Sequence, residues 1–347
     1  MPSAAEEIGA AIAAAGGAIP FEQYMHLALY GEHGFYTGSG QAGRRGDFIT
    51  SAEVGPLFGA VVARALDAWW VELGRPEELT FVDAGAGPGT LARAVLAADP
   101  GCLRAGALRY VAVETSAAQR EQHPEGVESM TSIAELAPFT GVVLANELLD
   151  NMPFRLFVWD GAWREAFVTA SGDGRFAEVT VAVAEVPAVL PPTAQLGARV
   201  PVQEAAGAWV RAAHGLVQHG RVVVFDYCCA ASGLYALRPW RDWLRTYRGH
   251  ERGGHYLADP GLQDVTAEVA IDQLAAAAGE PDAVRSQAQW LQRWGIAELV
   301  DEGRRVWAEQ AARPGLEAMR MRSRVPEAEA LLDPSGLGSF SVIEWAR

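Results

Sequence analysis

The sequence predicts an α/β protein built on a doubly wound, mostly parallel sheet of Rossmann-like type. Three observations carry that expectation. Short apolar runs alternate with helix-compatible segments between residues 79 and 146, the pattern of parallel strands joined by crossover helices. The first run ends in Asp83 and a turn in which Gly85, Gly87 and Gly89 alternate. A second run ends in Glu114, roughly 25 residues past the glycines, the separation at which a carboxylate after a second strand reaches a ribose hydroxyl.

The elements follow in order along the chain. Ser3 with Glu6 makes a capping-box pattern ahead of a short Ala/Ile helix stopped at Gly16-Gly17. Pro20 opens a second helix over Phe21–Tyr30, and a turn-rich segment spans 34–47. Leu57, Val61, Ala65 and Trp69 fall at four-residue steps, so 53–73 reads as a long helix with one apolar face. Strand, loop and helix occupy 79–98, followed by strands at 108–114, 126–129 (the weakest) and 142–146. After Pro153 the rhythm changes to antiparallel strands at 154–159, 163–169 and 176–183, turning at Asp160-Gly161 and Gly172-Asp173-Gly174. Four prolines between 187 and 201 mark a linker. A helix at 202–218 and a strand at 221–226 resume the α/β pattern. Helices at 268–278, 287–294 and 296–312 and a last strand at 340–345 close the chain.

This divides the protein into an N-terminal helical lid (1–75), the first half of the α/β domain (76–150) and an antiparallel β insertion (151–200). The core continues over 201–229, interrupted by a cap insertion (230–267), and ends with the C-terminal helices and last strand (268–347). Trp240, Trp243, Tyr247 and Tyr256 in the cap stand beside Arg238, Arg241, Arg245, Arg248 and Arg252. That composition resembles a nucleic-acid arm, but the surrounding acids argue for a folded, ion-paired cap.

Composition narrows the function. Net charge is −15 and no basic cluster is present, which argues against a nucleic-acid groove and favours a cationic partner. Three cysteines, two of them adjacent at Cys228 and Cys229, make neither a disulfide framework nor a metal-ligand spacing. His250 and His255 lack a third ligand for zinc, so no metal is expected. The N-terminus carries Glu6 and Glu7 and no basic residues, unlike a signal or transit peptide, and no apolar run reaches membrane-spanning length. The expectation is a soluble cytoplasmic protein without nucleic-acid or membrane partners, for which a homodimer is compatible.

The glycine turn selects the cofactor. A dinucleotide site reads G-x-G-x-x-G with pyrophosphate on the helix N-terminus. Here the spacing is G-x-G-x-G and an acid, Asp83, stands just ahead. An anion there repels pyrophosphate and suits the ammonium and sulfonium of S-adenosylmethionine (SAM), with S-adenosylhomocysteine as product. Glycines without Cβ let the backbone approach such a ligand; the bland alternative is a glycine-rich turn with no ligand. Asn146, Glu147 and Asp150 follow the fourth strand, where open α/β sheets place their chemistry, although acids also favour a helix start. Asp226-Tyr227 closes the fifth strand in the same way. Thr50 or Ser51 with Glu53 reads by itself as a capped helix start.

Beyond these readings, the sequence resembles the MidA-like SAM-dependent methyltransferases over nearly its whole length. Their mitochondrial members are protein-arginine methyltransferases acting in assembly of respiratory complex I. The likeness rests on Pro20-Phe21-Glu22-Gln23-Tyr24-Met25, Gly34-Phe35-Tyr36, Gly46-Asp47-Phe48-Ile49-Thr50-Ser51 with Glu53, the glycine turn, and Glu114-Thr115-Ser116. It continues in Ala145-Asn146-Glu147 with Asp150, Asp226-Tyr227, Asp259-Pro260-Gly261, Asp264-Val265-Thr266 and Leu337-Gly338. The family commonly has Glu where Asp83 stands and Gly where Cys228 stands.

The resemblance implies a seven-stranded methyltransferase sheet with the helical lid and the two insertions forming an acceptor cleft. It implies cofactor-binding roles for Asp83, Gly85, Ala86, Gly87, Gly89, Glu114, Thr115, Asp47, Thr50, Ser51 and Asn146. Glu147, Asn146, Asp150 and Glu53 become the catalytic candidates, with Glu147 facing a substrate guanidinium. The implied reaction is methyl transfer to a protein arginine. A small-molecule O- or N-methyltransferase on the same fold is the alternative, and a SAM-binding assembly factor without catalysis is a second.

Overall fold

Strands Leu79–Ala84 (β1), Leu108–Val113 (β2), Glu128–Met130 (β3), Phe139–Asn146 (β4), Val217–Asp226 (β5), Ala283–Ser286 (β6) and Ser341–Ala346 (β7) assemble into one sheet. Their spatial order is β3-β2-β1-β4-β5-β7-β6. The first five strands pair in parallel, whereas β7 runs antiparallel to β5 and β6 antiparallel to β7. The expected doubly wound, seven-stranded sheet is therefore present, and its strand order reverses between β1 and β4, the position at which such sheets bind ligands. Every residue of β1 is buried, as a strand covered on both faces requires.

The computed structural model describes residues 3–37, 50–171, 175–249 and 251–347. The chain divides into two compact units, one comprising Ile49–Leu148, Ala212–Asp226 and Pro281–Arg347, the other Met1–Phe48, Leu149–Arg211 and Tyr227–Glu280. The seven-stranded sheet belongs to the former. Asp47 with its neighbours Gly46, Phe48 and Ile49, the Gly172-Asp173-Gly174 turn, and His250 lie outside the described residues.

In the unit that carries the sheet, the expected 53–73 helix is two helices, Ser51–Val54 and Pro56–Glu72. Pro56 brings no N–H and restricts Gly55 before it, so the backbone turns there and restarts. The carboxylate of Glu327 accepts the Leu57 N–H at 2.8 Å, satisfying one of the donors that a helix start leaves open. Leu57, Val61, Ala65 and Trp69 are all buried, as the spacing predicts, together with Phe58. Phe58 meets Phe225 of β5 edge-on at 5.4 Å, and Phe225 meets Trp290 at 4.9 Å. Burying each such ring stabilises the unit by about 2–3 kcal/mol.

The other unit begins with helix Ala4–Ala14, whose Ser3–Glu6 capping box forms as expected, and helix Phe21–Tyr30. Its antiparallel sheet runs Ile19–Pro20, Trp163–Ala170, Arg155–Trp159, Arg199–Val202, with Phe176–Ala182 also paired to Trp163–Ala170. The cap segment forms a second sheet from Leu244–Arg248, Glu251–Arg252 and Asp264–Ala267. Arg238 and Arg245 both pair with Glu268, and Arg241 lies 4.4 Å over the Trp240 ring. Those arginines are thus engaged within the fold, in agreement with an ion-paired cap. Among the described residues, no helix is long and apolar enough to cross a membrane.

Candidate active site

Register alone brings three of the expected site residues to one edge. Ala84 of β1 stands opposite Val113 of β2 and Ala145 of β4, so Gly85, Glu114 and Asn146 leave neighbouring strands at one level. The N–H groups of Gly85 and Ala86 both donate to the Val113 carbonyl, at 2.9 and 3.0 Å, which bends the turn over the end of β2. Gly85, Gly87 and Gly89 have φ of 73°, 54° and 81°. Left-handed backbone at three alternate residues is what the G-x-G-x-G spacing serves.

Glu114 is tied to that turn. Its Oε2 accepts the Gly87 N–H at 3.0 Å, and Oε1 accepts the Ser116 N–H at 2.8 Å and the Thr115 hydroxyl at 3.4 Å. Two carboxylate oxygens offer about four acceptor positions, so with three donors in place one position, on Oε2, remains for a hydroxyl donor. Glu114→Ala is expected to raise the Michaelis constant for the cofactor about tenfold or more while saturated turnover stays nearly intact, the signature of lost uniform binding. Steady-state kinetics at varied cofactor concentration check this; a collapse of turnover with cofactor affinity preserved would reassign Glu114 to chemistry.

Asp83 is placed deeper than a ligand-facing anion requires. It is 3% exposed, and its Oδ2 accepts the Tyr110 hydroxyl at 2.9 Å. Burial pushes its carboxyl up to about 7, against the lowering effect of the Tyr110 hydrogen bond, with the nearby Glu114 charge adding to the rise. A carboxyl raised above its unfolded value of about 3.9 stabilises the fold most at low pH, and that contribution is lost as pH rises through about 7. Asp83→Asn keeps the acceptor for Tyr110 and cannot ionise. It is expected to gain stability relative to the wild type as pH rises from about 5 to about 8. Denaturant titrations at both pH values read this directly, and parallel stability curves would refute it.

Asn146 ends β4 and Glu147 follows it. The Glu147 N–H donates to the Phe225 carbonyl of β5 at 2.8 Å, continuing the sheet for one residue, yet its φ is 54°. Such a conformation in a non-glycine residue costs on the order of 1–3 kcal/mol and recurs at functional sites. Oε1 of Glu147 accepts the Asn146 side-chain amide at 3.2 Å and the Ser51 N–H at 3.0 Å. The Asn146 Oδ1 is buried without a hydrogen-bond partner, an acceptor that a bound donor would satisfy.

The T-S-x-E block therefore reaches the β4 end through its backbone. Thr50 caps helix Ser51–Val54 by position but makes no side-chain capping bond, contrary to the capped start its sequence suggests. The Ser51 hydroxyl donates instead to Gln287 Oε1 at 2.8 Å, and the first N–H is taken by Glu147. Glu53 is half-buried in that short helix. Asp150 belongs to the other unit, where it is buried, takes the Thr266 hydroxyl and is raised from the usual carboxylate range by burial. In that unit Asp264 accepts from the Tyr36 hydroxyl at 3.1 Å and from Asn151 at 3.0 Å. Asp226 is fully buried at the end of β5.

Gln287 and Glu327 were not foreseen. Gln287 is fully buried, and its Nε2 donates to the Leu331 carbonyl at 3.2 Å while its Oε1 holds Ser51. The helix Gln287–Arg293 opens on a Ser286–Gln289 capping box, but no local pattern reports that the Gln287 side chain reaches a residue 236 positions away.

The family model of S-adenosyl-L-methionine-dependent methyltransferases matches residues 61–288. The Drosophila melanogaster mitochondrial protein arginine methyltransferase NDUFAF7 homolog is 30% identical over 188 residues, 46% of this chain and 43% of that protein; the chain thus matches less than half of that relative's length. The Danio rerio mitochondrial protein arginine methyltransferase NDUFAF7 is 24% identical, over 95% of this chain and 85% of that protein. A crystal structure from Burkholderia thailandensis bound to S-adenosyl-homocysteine superposes with a TM-score of 0.82 at 27% identity, covering 99% of this chain and 92% of that one. The expectation of a cytoplasmic protein does not stand, because the named relatives are mitochondrial proteins.

Proposed function

The chain belongs to the S-adenosyl-L-methionine-dependent methyltransferases, the family its motifs resemble, and from that premise we propose that its methyl acceptor is an arginine side chain of a protein. The observation that carries the proposal is the clamped Glu147 carboxylate, with two N–H donors on Oε1, at the carboxyl edge beside the glycine turn. The named function of the curated relatives supports the same acceptor.

The residues present fit the cofactor. Three left-handed glycines leave room where any Cβ would crowd a neighbour, at 3.1 Å for Gly85, 3.3 Å for Gly87 and 3.0 Å for Gly89. Glu114 would hold the ribose hydroxyls, with Asp83, Ala86 and Thr115 shaping the turns around it. Asn146, through its orphaned Oδ1, and Thr50 and Ser51 would serve the amino-acid end. When bound, the cofactor supplies a methyl group activated on a sulfonium. The chain's own work is then alignment, exclusion of water and management of acceptor charge. A guanidinium is protonated at any working pH. A carboxylate bonded to two of its nitrogens draws the charge toward them and leaves the third to attack the methyl carbon, the proton which that nitrogen sheds passing to the carboxylate or to water. In the proposal Glu147 takes that role, the Asn146 amide on its Oε1 giving way to the guanidinium while the Ser51 N–H fixes the direction of the carboxylate. Glu53 is the remaining acid of the proposal.

The test is to incubate pure protein and methyl-labelled SAM with extract from cells lacking it. A labelled protein band that yields methylarginine on hydrolysis supports the proposal. Label in a small metabolite replaces it with a small-molecule methyltransferase, and no transfer at all reduces the protein to a cofactor-binding assembly factor.

A further inference from the structure

His123 lies in the turn that follows helix Ala117–Arg120. Its Nε2 is 2.9 Å from the Gly87 carbonyl oxygen and its Nδ1 is 2.6 Å from the Ser129 hydroxyl oxygen. A carbonyl can only accept, so Nε2 carries a proton; in the neutral ring Nδ1 then accepts from Ser129. Ser129 is the middle residue of β3. The central peptide units of the glycine turn are consequently gripped from two sides, since the Gly87 N–H donates to Glu114 Oε2 at 3.0 Å. The contact is close along its length, because a Cβ on Gly89 would lie 3.0 Å from Pro124 and 3.2 Å from the His123 ring.

We propose that His123, oriented by Ser129, is a positioning residue for cofactor binding: it presets the Gly87 peptide and, through the Gly87 N–H, the direction of the Glu114 carboxylate. The physical need follows from the turn's composition. Glycine loses more conformational freedom on ordering than any other residue, and three of them in five positions would otherwise be ordered at the expense of ligand affinity. A tether made before binding removes that cost, which is how preorganisation raises affinity. His123 touches no cofactor atom in this account; it acts through the loop. The inference rests on the assignment of the glycine turn as the cofactor loop.

Calorimetry with S-adenosylhomocysteine tests it on the full-length wild type, His123→Ala, His123→Gln, Ser129→Ala and Gly87→Val, alongside ligand-free thermal unfolding of each. His123→Ala should bind about tenfold more weakly, the effect of one lost hydrogen bond. His123→Gln retains an N–H that can reach the Gly87 carbonyl and should recover most of the affinity, and Ser129→Ala should fall between them. Rescue by glutamine at an unchanged melting temperature is a result that a merely structural histidine would not produce. Wild-type affinity in His123→Ala, or equal losses in the alanine and glutamine variants, overturns the proposal. If Gly87→Val loses binding while His123→Ala does not, only the role of His123 falls. If Gly87→Val also binds normally, the loop assignment falls with it.

Discussion

Gly87→Val is expected to give a folded protein that binds S-adenosylhomocysteine roughly 10²-fold more weakly than the wild type, or not measurably. Gly87 sits at φ 54°, where a Cβ costs about 1–2 kcal/mol, and more for a branched side chain that restricts its own rotamers. The added Cβ would stand 3.3 Å from Gln119 Oε1, with two methyl groups still to place. Relief requires the peptide to move, which breaks the 3.0 Å bond to Glu114 and the 2.9 Å contact with His123. Strain and two hydrogen bonds together reach about 3 kcal/mol, hence the factor of roughly 10². Gly87→Ala carries the same backbone strain with one methyl group and should lose less. Unchanged affinity in a folded Gly87→Val protein, measured by calorimetry, would remove the turn from the cofactor site.

Glu147→Gln should leave cofactor affinity within a factor of a few and lower methyl transfer by roughly 10²-fold or more, the range for a positioned electrostatic or acid–base group. The substitution keeps the size of the side chain and an oxygen that can accept from the Ser51 N–H and the Asn146 amide. What it removes is the negative charge that a cationic acceptor needs. Single-turnover transfer to the acceptor found in the labelling experiment, with cofactor affinity measured in parallel, reads both quantities. Transfer near the wild-type rate would take Glu147 out of the site and with it the arginine acceptor. A parallel loss of cofactor affinity would instead mark Glu147 as part of the cofactor's own binding surface, through the Asn146 amide that it shares.

The same sheet shows why some elements were legible and others were not. β1, β2 and β4 are apolar runs bounded by glycines and acids, so their period and ends stand out locally. β6 is four partly exposed residues, Ala283–Ser286, at the sheet's edge; without a buried face it has no alternation, and it exists because β7 offers it a free partner. The helix Leu316–Leu332 has no clear sequence signature, since Pro326 lies inside it, a residue that ordinarily ends a helix. Gly55 and Pro56 break the expected long helix in two, and the apolar spacing that suggests it begins only at Leu57, after the break.

Sequence by itself determined the doubly wound class, the strand–glycine–helix unit, the cofactor type, and the positions of Gly85, Gly87, Gly89, Glu114, Asn146 and Glu147 at strand ends. These follow from contacts between residues close in the chain, where spacing and residue type suffice. Only the tertiary structure decided which groups face one another. It turned Asp83 inward to Tyr110, set Ser51 on Glu147, held Ser51 with Gln287, and placed His123 on the glycine turn. Each of those pairs is made by side chains or backbone groups that many sequences could supply, so no local pattern marks them. Their partners are selected by packing and by the need to satisfy buried polar groups, and both are properties of the folded chain.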